Sequence, residues 1–432
     1  MKSLSELIKE KQSLPSGNLY KKKIKGKIYT YYQSFDGGKA FIKKLKDSEI
    51  SEYESKIQRR KELEKLIEEY KAKDKSINLS ENAKKLTGYL MSGNTVVASF
   101  ENGQLLNLNE ELVPLIIKRT HSLESFLNLR VIDMSRTNAR LLKKALNIQI
   151  EDDYKIPLFA YALSISDDYW FKPKHSKLKY EEIKFDNDIY SDTALKGDLT
   201  IFPHQAKLTP EITTSGSFEK GWKMINNEWW LYKSGNQKQL FSELFCYEFA
   251  KLIDLNTAIY ELDKEYIRSK NFADHYNFEP MAALAGDNDT YEYVFSILLK
   301  IDKEIAKDYL KLIFFDSVVN NIDRHNENTG LLRERGTGRI VSLAPNFDNN
   351  LALISTVDIL KDANKDKFVE IFTDFLKKNE IARNLFKEIS LKEITIQDLE
   401  YIINKITIKI DNSEELIKKV YQRYTYLKNL FN

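Results

Sequence analysis

The sequence predicts an α+β chain: a strand-rich first half, a mainly helical C-terminal body, and a small basic β-α module at the N-terminus. Three patterns predict this. Short alternating apolar runs bounded by Gly, Asn and Asp occur at 19–45 and 86–108, and strand-and-loop patterning returns around 178–233. From residue 291 onward, apolar residues recur at helix-face spacing in six segments. A lysine-dense stretch near the N-terminus stands apart from both.

A chain of 432 residues with 42% hydrophobic and 30% charged residues has an ordinary globular balance and room for two or three domains. Its single cysteine, Cys246, excludes an internal disulfide or a cysteine metal cluster, and fits a reducing cytoplasm. Charges fill the first ten residues where a signal peptide needs its apolar region, and no apolar run reaches membrane-spanning length. The expectation is a soluble, cytoplasmic protein without a membrane span.

Between Gly17 and Lys46, nine lysines face the single acid Asp36, a balance of +8 in a chain of net charge +3, so the remainder is acidic by five. This module, 1–75, reads as strands at 19–25, 27–33 and 40–45, turns at Gly26 and Asp36-Gly37-Gly38, and a charged helix over 48–73. Tyrosines alternate with the lysines. Such strands can follow a nucleic-acid backbone through residues 19–46, or the lysines can be a solvated face.

After a linker at 75–82, a hairpin is expected over 86–108 with turns at Ser92-Gly93-Asn94 and Asn102-Gly103. Helical patterns follow at 110–118, 123–129 and 137–146. Arg130, Arg136 and Arg140 there can contact a partner or the rest of the chain, or sit in satisfied salt bridges. The segment 229–233 reads as a buried strand ending in Lys233, and a helix over 239–252 carries Glu243, with Glu248 as second choice. A strand-end lysine held by a glutamate of the next helix is how a phosphoryl-transfer site grips nucleotide phosphates. Either residue alone reads rather as a snorkelling lysine or a solvated glutamate, and it is their combination with Asp323 that favours function. Between them and the preceding strands, Thr213-Thr214-Ser215-Gly216-Ser217 and Lys220 form a segment whose small residues let backbone amides approach phosphate oxygens. Six helices are expected in the C-terminal body, at 291–299, 305–319, 367–377, 381–386, 396–406 and 413–431. Phe278-Glu279-Pro280-Met281 lies where the chain should cross between lobes, and its backbone can bind adenine.

The most specific feature is Asp323-Arg324-His325-Asn326-Glu327-Asn328, followed by Asn346-Phe347-Asp348. An aspartate, an asparagine five residues later and a second aspartate beyond are the spacing of a catalytic carboxylate and two magnesium ligands. Magnesium takes hard oxygen ligands and keeps several waters, so Asn328 and Asp348 suffice to hold it against ATP phosphates. Asp323 is then free to orient an acceptor hydroxyl and take its proton. His325 is either catalytic or a ring that packs the loop.

The order Asp-Arg-His-x-x-Asn resembles phosphatidylinositol kinases and, more closely, the HipA-like bacterial kinases, over about 211–354 and more weakly from 86 to the C-terminus. The resemblance implies a two-lobed protein-kinase/phosphatidylinositol-kinase-like fold. Its parts are a shortened HipA N-terminal-like region at 84–177, a small lobe at 178–277 and a helical large lobe at 278–432. It further implies ATP and Mg2+ as cofactors, a serine/threonine protein kinase activity of toxin type, and a protein substrate such as a translation factor. A separate antitoxin partner is implied as well. Gly216 to Lys220 matches the family's Gly-x-x-x-Lys loop core. In that family a serine three residues before the glycine can be autophosphorylated; Thr213 stands there, with Thr214, Ser215 and Ser217 as further hydroxyls. A lipid or small-molecule kinase, and a nucleic-acid-binding regulator with a pseudokinase body, are the rival readings.

Overall fold

The computed structural model describes residues 4–36, 39–72, 79–146, 148, 152–198, 208–353 and 367–431. Gly37, Gly38 and residues 75–78 of the expected linker lie outside them. The chain divides into two compact units, one built on the N-terminal segment up to residue 72 and the other on most of the rest.

The N-terminal unit runs helix Leu4–Gln12, strands β1 (Asn18–Ile24), β2 (Lys27–Asp36) and β3 (Lys39–Lys44), and helix Asp47–Ala72. The strands form an antiparallel sheet in the order β1-β2-β3. The β1–β2 turn is Lys25-Gly26, both with positive φ (48° and 84°), the backbone of a tight twist-matched hairpin that favours glycine. Leu19, Tyr32 and Leu45 on one sheet face meet Ile50, Tyr53 and Ile57 of the long helix. Burying these side chains is the main stabilising term for the unit. The first helix is tied to the second by Arg60, which donates to the carbonyls of Lys11 and Leu14.

The second unit begins with an antiparallel sheet of β4 (Gly88–Ser92), β5 (Thr95–Glu101), β6 (Gln104–Leu108) and β7 (Tyr169–Pro173) in the order β6-β5-β4-β7. The hairpin turns fall where the Gly93 and Gly103 signals place them. The helix expected from 110 starts only at Leu115, after Pro114, which lacks the N–H that an earlier start would use. A second sheet holds β8 (Lys220–Ile225), β9 (Glu228–Lys233), β10 (Tyr260–Asp263) and β11 (Tyr266–Lys270) in the order β10-β11-β9-β8. Helix Gln237–Leu252 is capped by a reciprocal Asn236–Gln239 box. Its Leu240 packs with Tyr260 and Ile267 of that sheet and with Ala258 just before it. A third sheet joins β12 (Tyr276–Pro280), β13 (Gly330–Glu334) and β14 (Ile340–Leu343).

Residues 278–280 of the expected crossing segment lie in this third sheet. Phe278 and Glu279 lie within β12, paired with Leu332 and Leu331 of β13, while the Phe278 N–H donates to the Ser166 carbonyl. The chain leaves the second sheet at the end of β11, Lys270, and enters β12 at Tyr276. Glu279 is buried, paired with Arg333, and accepts from the Leu115 N–H at 2.6 Å and the Tyr169 hydroxyl at 3.2 Å.

The helical body matches the six expected segments to within two residues, from Tyr291–Ile301 and Lys303–Val319 to Ser413–Phe431. Helix Lys303–Val319 is its buried spine: Asp302 caps its start and Asn320, with φ of 53°, ends it in the left-handed region. Phe314 packs edge-on against Phe372 and Tyr424 and tilted against Phe386. This fixes the helix end from which the Asn321–Asn328 loop departs.

Arg333→Ala should lower stability by about 3–5 kcal/mol, because it leaves the Glu279 carboxylate buried and unpaired. A urea unfolding midpoint unchanged from wild type would show that the pair contributes nothing.

Candidate active site

A cavity of about 280 Å³ opens between the β8–β11 sheet and the helical body. Thr213, Thr214, Ser215, Gly216, Ser217, Lys220, Lys233, Phe278, Asp323, His325, Asn328 and Asp348 all line it. Of the residues assigned to the site from the sequence, Glu243 and Glu279 do not line this cavity, although Glu279 lines a smaller one that shares Thr213, Ser215 and Phe278 with it. Glu279 serves the Arg333 pair, and Glu243 stands behind Lys233.

Lys233 Nζ lies 3.1 Å from Glu243 Oε1 and 2.7 Å from Asp348 Oδ1. Burial disfavours its ammonium, but Asp348 and Glu243 outweigh that and hold its pKa well above the ordinary lysine value. For Asp348, burial pushes upward, and Lys233 with Lys220 overcomes it, so the carboxylate stays ionised. Its backbone is left-handed, φ 58°, a conformation aspartate tolerates. The Tyr260 hydroxyl fixes it by accepting the Asp348 N–H at 2.8 Å. Lys220 sits directly opposite Lys233 in the β8–β9 register. Burial pushes its pKa down to about 7, against the pull of Asp348, and Lys233 beside it adds to the effect.

Arg324 organises the floor. Its buried guanidinium donates to both oxygens of Asp316, the carbonyls of Asn328 and Phe347, and the side-chain oxygens of Asn346 and Asn349, all within 3.1 Å. Asn328 Nδ2 donates to Asp323 O at 2.9 Å and Oδ2 at 3.2 Å. The amide nitrogen is thus committed to Asp323, leaving the amide oxygen as the free donor atom, which suits a hard cation. The oxygen set of Asn328 and Asp348 fits magnesium; among the described residues no cluster of three His, Cys, Asp or Glu offers another metal site. Burial raises the pKa of Asp323, His325 opposes this and Asp348 adds to it. His325 Nδ1 accepts the Glu327 N–H at 3.2 Å, which places its other nitrogen as the proton carrier, 4.0 Å from Asp323 Oδ1.

The roof is the 213–217 loop. Arg136, which the sequence left between partner contact and salt bridge, is buried and donates to the carbonyls of Thr214, Ser215 and Gly216 at 2.5–2.6 Å. A trans peptide points its N–H opposite its C=O. Arg136 therefore turns the N–H groups of Ser215, Gly216 and Ser217 away from itself, and none of them has an acceptor among the described residues. Successive free amides of this kind make an anion nest. Gly216, φ 92°, gives the loop its turn, and an added Cβ would lie 2.4 Å from Lys220 Nζ. The Thr213 and Thr214 hydroxyls both donate back to the Pro210 carbonyl and are buried, whereas Ser215 and Ser217 are exposed. Arg130 forms a salt bridge with Asp167 at 2.8 Å.

At the edge of the cavity where the chain leaves β11, Lys270, Asn271 and Phe272 line it together with Phe278. The N–H and C=O of Phe272 have no partner among the described residues.

Two solved structures are similar to this chain. HipA of Shewanella oneidensis MR-1, in a complex with HipB and its operator DNA, is 12% identical with a TM-score of 0.53, over 79% of this chain and 97% of that one. The Helicobacter pylori proinflammatory kinase CtkA is 18% identical with a TM-score of 0.42, over 49% of this chain and 94% of that one. No protein-family model matches the sequence, and no curated protein does. The chain has a HipA-like kinase fold, of the α+β class read from the sequence. Among the described residues no helix is long and apolar enough to cross a membrane.

With the Lys220 pKa near 7, the amine is largely neutral at pH 8, and a bound polyphosphate favours its charged form. Binding of tripolyphosphate at pH 8 should take up part of a proton, so that the calorimetric enthalpy varies with the ionisation enthalpy of the buffer. Lys220→Met should reduce that dependence, the remainder coming from the ligand's own ionisation; a dependence equal to that of the wild type would remove Lys220 as the titrating group.

Proposed function

We propose that this chain is an ATP- and Mg2+-dependent serine/threonine protein kinase of HipA type. The observation that carries the reading is Lys233 bridging Glu243 and Asp348 on the wall of the cavity that Asp323 and Asn328 also line. Lys233 and Lys220 meet the phosphates together with the amides of Ser215, Gly216 and Ser217. The free backbone groups of Phe272 suit an adenine edge. Asn328 Oδ1 and Asp348 would hold magnesium, whose chemistry is to neutralise phosphate charge. Asp323 orients the acceptor hydroxyl. As the hydroxyl oxygen bonds to the γ-phosphorus, the bond from that phosphorus to the ADP oxygen breaks and the hydroxyl proton passes to Asp323. A carboxylate whose pKa is raised by burial accepts that proton more readily. His325 steadies it from one side and Asn328 from the other.

The acceptor is a serine or threonine of a protein, with a translation factor as the toxin-type substrate and a separate antitoxin as regulator. Both follow from the family resemblance. For autophosphorylation, the exposed Ser215 and Ser217 are the ready acceptors. Thr213 and Thr214 require the loop first to release their hydroxyls from Pro210.

Incubation with radiolabelled ATP and magnesium should label the wild type, and Asp323→Ala should reduce the rate by about 10²–10⁴-fold. Equal labelling of both proteins would overturn the assignment. Arg136→Ala should raise KM for ATP roughly 10-fold, the equivalent of about 1.5 kcal/mol for misdirected amides that bond a charged group. An unchanged KM would leave Arg136 without a part in nucleotide binding. Mass spectrometry after brief incubation with ATP should find phosphate on Ser215 or Ser217 before Thr213 or Thr214; the reverse order would contradict the buried threonine geometry.

A further inference from the structure

The three-stranded sheet of the N-terminal unit has two unlike faces. Antiparallel partners point to the same side, so the pairs Leu19↔Tyr32 and Lys21↔Thr30 share the face covered by helix Asp47–Ala72. Tyr20↔Tyr31, Lys22↔Tyr29 and Tyr31↔Lys44 share the other. On that second face Tyr20 and Tyr31 stack with ring centroids 5.4 Å apart and planes 17° apart. Lys44 Nζ rests 3.6 Å from the centroid of the Tyr29 ring. Tyr20 is 36% exposed, and Lys22, Lys27 and Lys44 are exposed around it. The hydrophobic Ile42 on the same face is 52% exposed.

Lys21 and Lys23, at the rim of the covered side, are exposed as well, and among the described residues no carboxylate pairs with them. On the covered side Lys43 pairs with Glu49. Among the described residues no carboxylate pairs with Lys22, Lys27 or Lys44, and the whole 17–46 stretch contains one acid. A solvated surface would mix signs. Unpaired lysines interleaved with accessible aromatic rings on a flat sheet supply two separate contacts, phosphate charge and a stacking surface.

The geometry points to the open face of this sheet, centred on Tyr20, Tyr29, Tyr31, Lys22, Lys27 and Lys44, as a binding platform for single-stranded nucleic acid. The aromatic rings select the single strand, because paired bases keep their faces stacked on one another and present only edges and phosphates. The lysines bind the backbone without regard to sequence. This inference rests on the N-terminal unit alone and stands whether or not the phosphoryl-transfer reading holds.

The test uses the full chain and a fluorescein-labelled 12-nucleotide oligo-dT, followed by anisotropy at 50 and 200 mM NaCl, beside the same oligonucleotide annealed to oligo-dA. The single strand should bind at least 10-fold more tightly than the duplex. With three lysines neutralising phosphates, its affinity should fall roughly 20-fold over that salt step. The combined variant Lys22→Gln, Lys27→Gln, Lys44→Gln should weaken binding 10-fold or more. Lys21→Gln with Lys23→Gln, on the helix-covered side, should change it less than 3-fold. Tyr31→Ala should weaken it about 5-fold or more, and Tyr31→Phe, which keeps the ring, should not. Circular dichroism melts of each variant separate lost binding from lost folding. Duplex bound as well as single strand, equal effects of the two lysine sets, or binding of anionic phosphatidylserine vesicles without binding of oligo-dT would each overturn the proposal.

Discussion

The guanidinium of Arg324 is the interaction on which the site depends. It is buried, and burying a charge is costly unless it is paired and every donor is used. Here Asp316 supplies the countercharge from the spine helix, and four further oxygens take the remaining donors. Those oxygens belong to two loops: Asn328 from the loop that carries Asp323, and Asn346, Phe347 and Asn349 from the segment that carries Asp348. One planar, rigid group thereby sets the position of both carboxylates from a helix that is itself fixed by aromatic packing. A lysine has the charge but neither the fork nor the number of donors.

Above this floor the electrostatics are deliberately unbalanced. Lys220 and Lys233 stand opposite each other on neighbouring strands, and like charges in that relation destabilise a sheet. Asp348 and Glu243 offset one lysine, and the other loses much of its charge through burial. The cavity wall thus presents one partly suppressed positive group and three amides without an acceptor among the described residues, all of which an anion would satisfy. The roof and the floor are built by different means. The floor uses side-chain charge, whereas the roof uses backbone amides aimed by Arg136.

How much of this was legible in the sequence follows the range of each interaction. Asp323, His325 and Asn328 lie within six residues, and the loop that holds them is closed by their own hydrogen bonds, so the motif carried its geometry with it. Lys233 was legible because a strand that ends in lysine before a capped helix has few arrangements. The C-terminal helices followed from apolar periodicity alone. Arg136 was not assignable, because its partners are carbonyls some eighty residues away, and a backbone oxygen leaves no trace in residue type. The same holds for Glu279. Its aromatic-glutamate-proline surroundings suggested a crossing segment, but Arg333 and β13 claim it from more than fifty residues away.

Glu243 shows why a residue outside the cavity belongs to its machinery. Lys233 is nearer Asp348 than Glu243, yet Asp348 is the carboxylate that faces the cavity and would turn toward a cation there. A lysine held only by Asp348 would lose its partner at that moment. Glu243 keeps Nζ in place through one oxygen, and through the other accepts the Asn349 N–H at 2.9 Å. Asn349 adjoins Asp348 and also meets Arg324. A single buried carboxylate therefore joins the strand that carries Lys233 to the segment that carries Asp348, so the two charges that would meet the nucleotide keep a common spacing whichever of them is engaged.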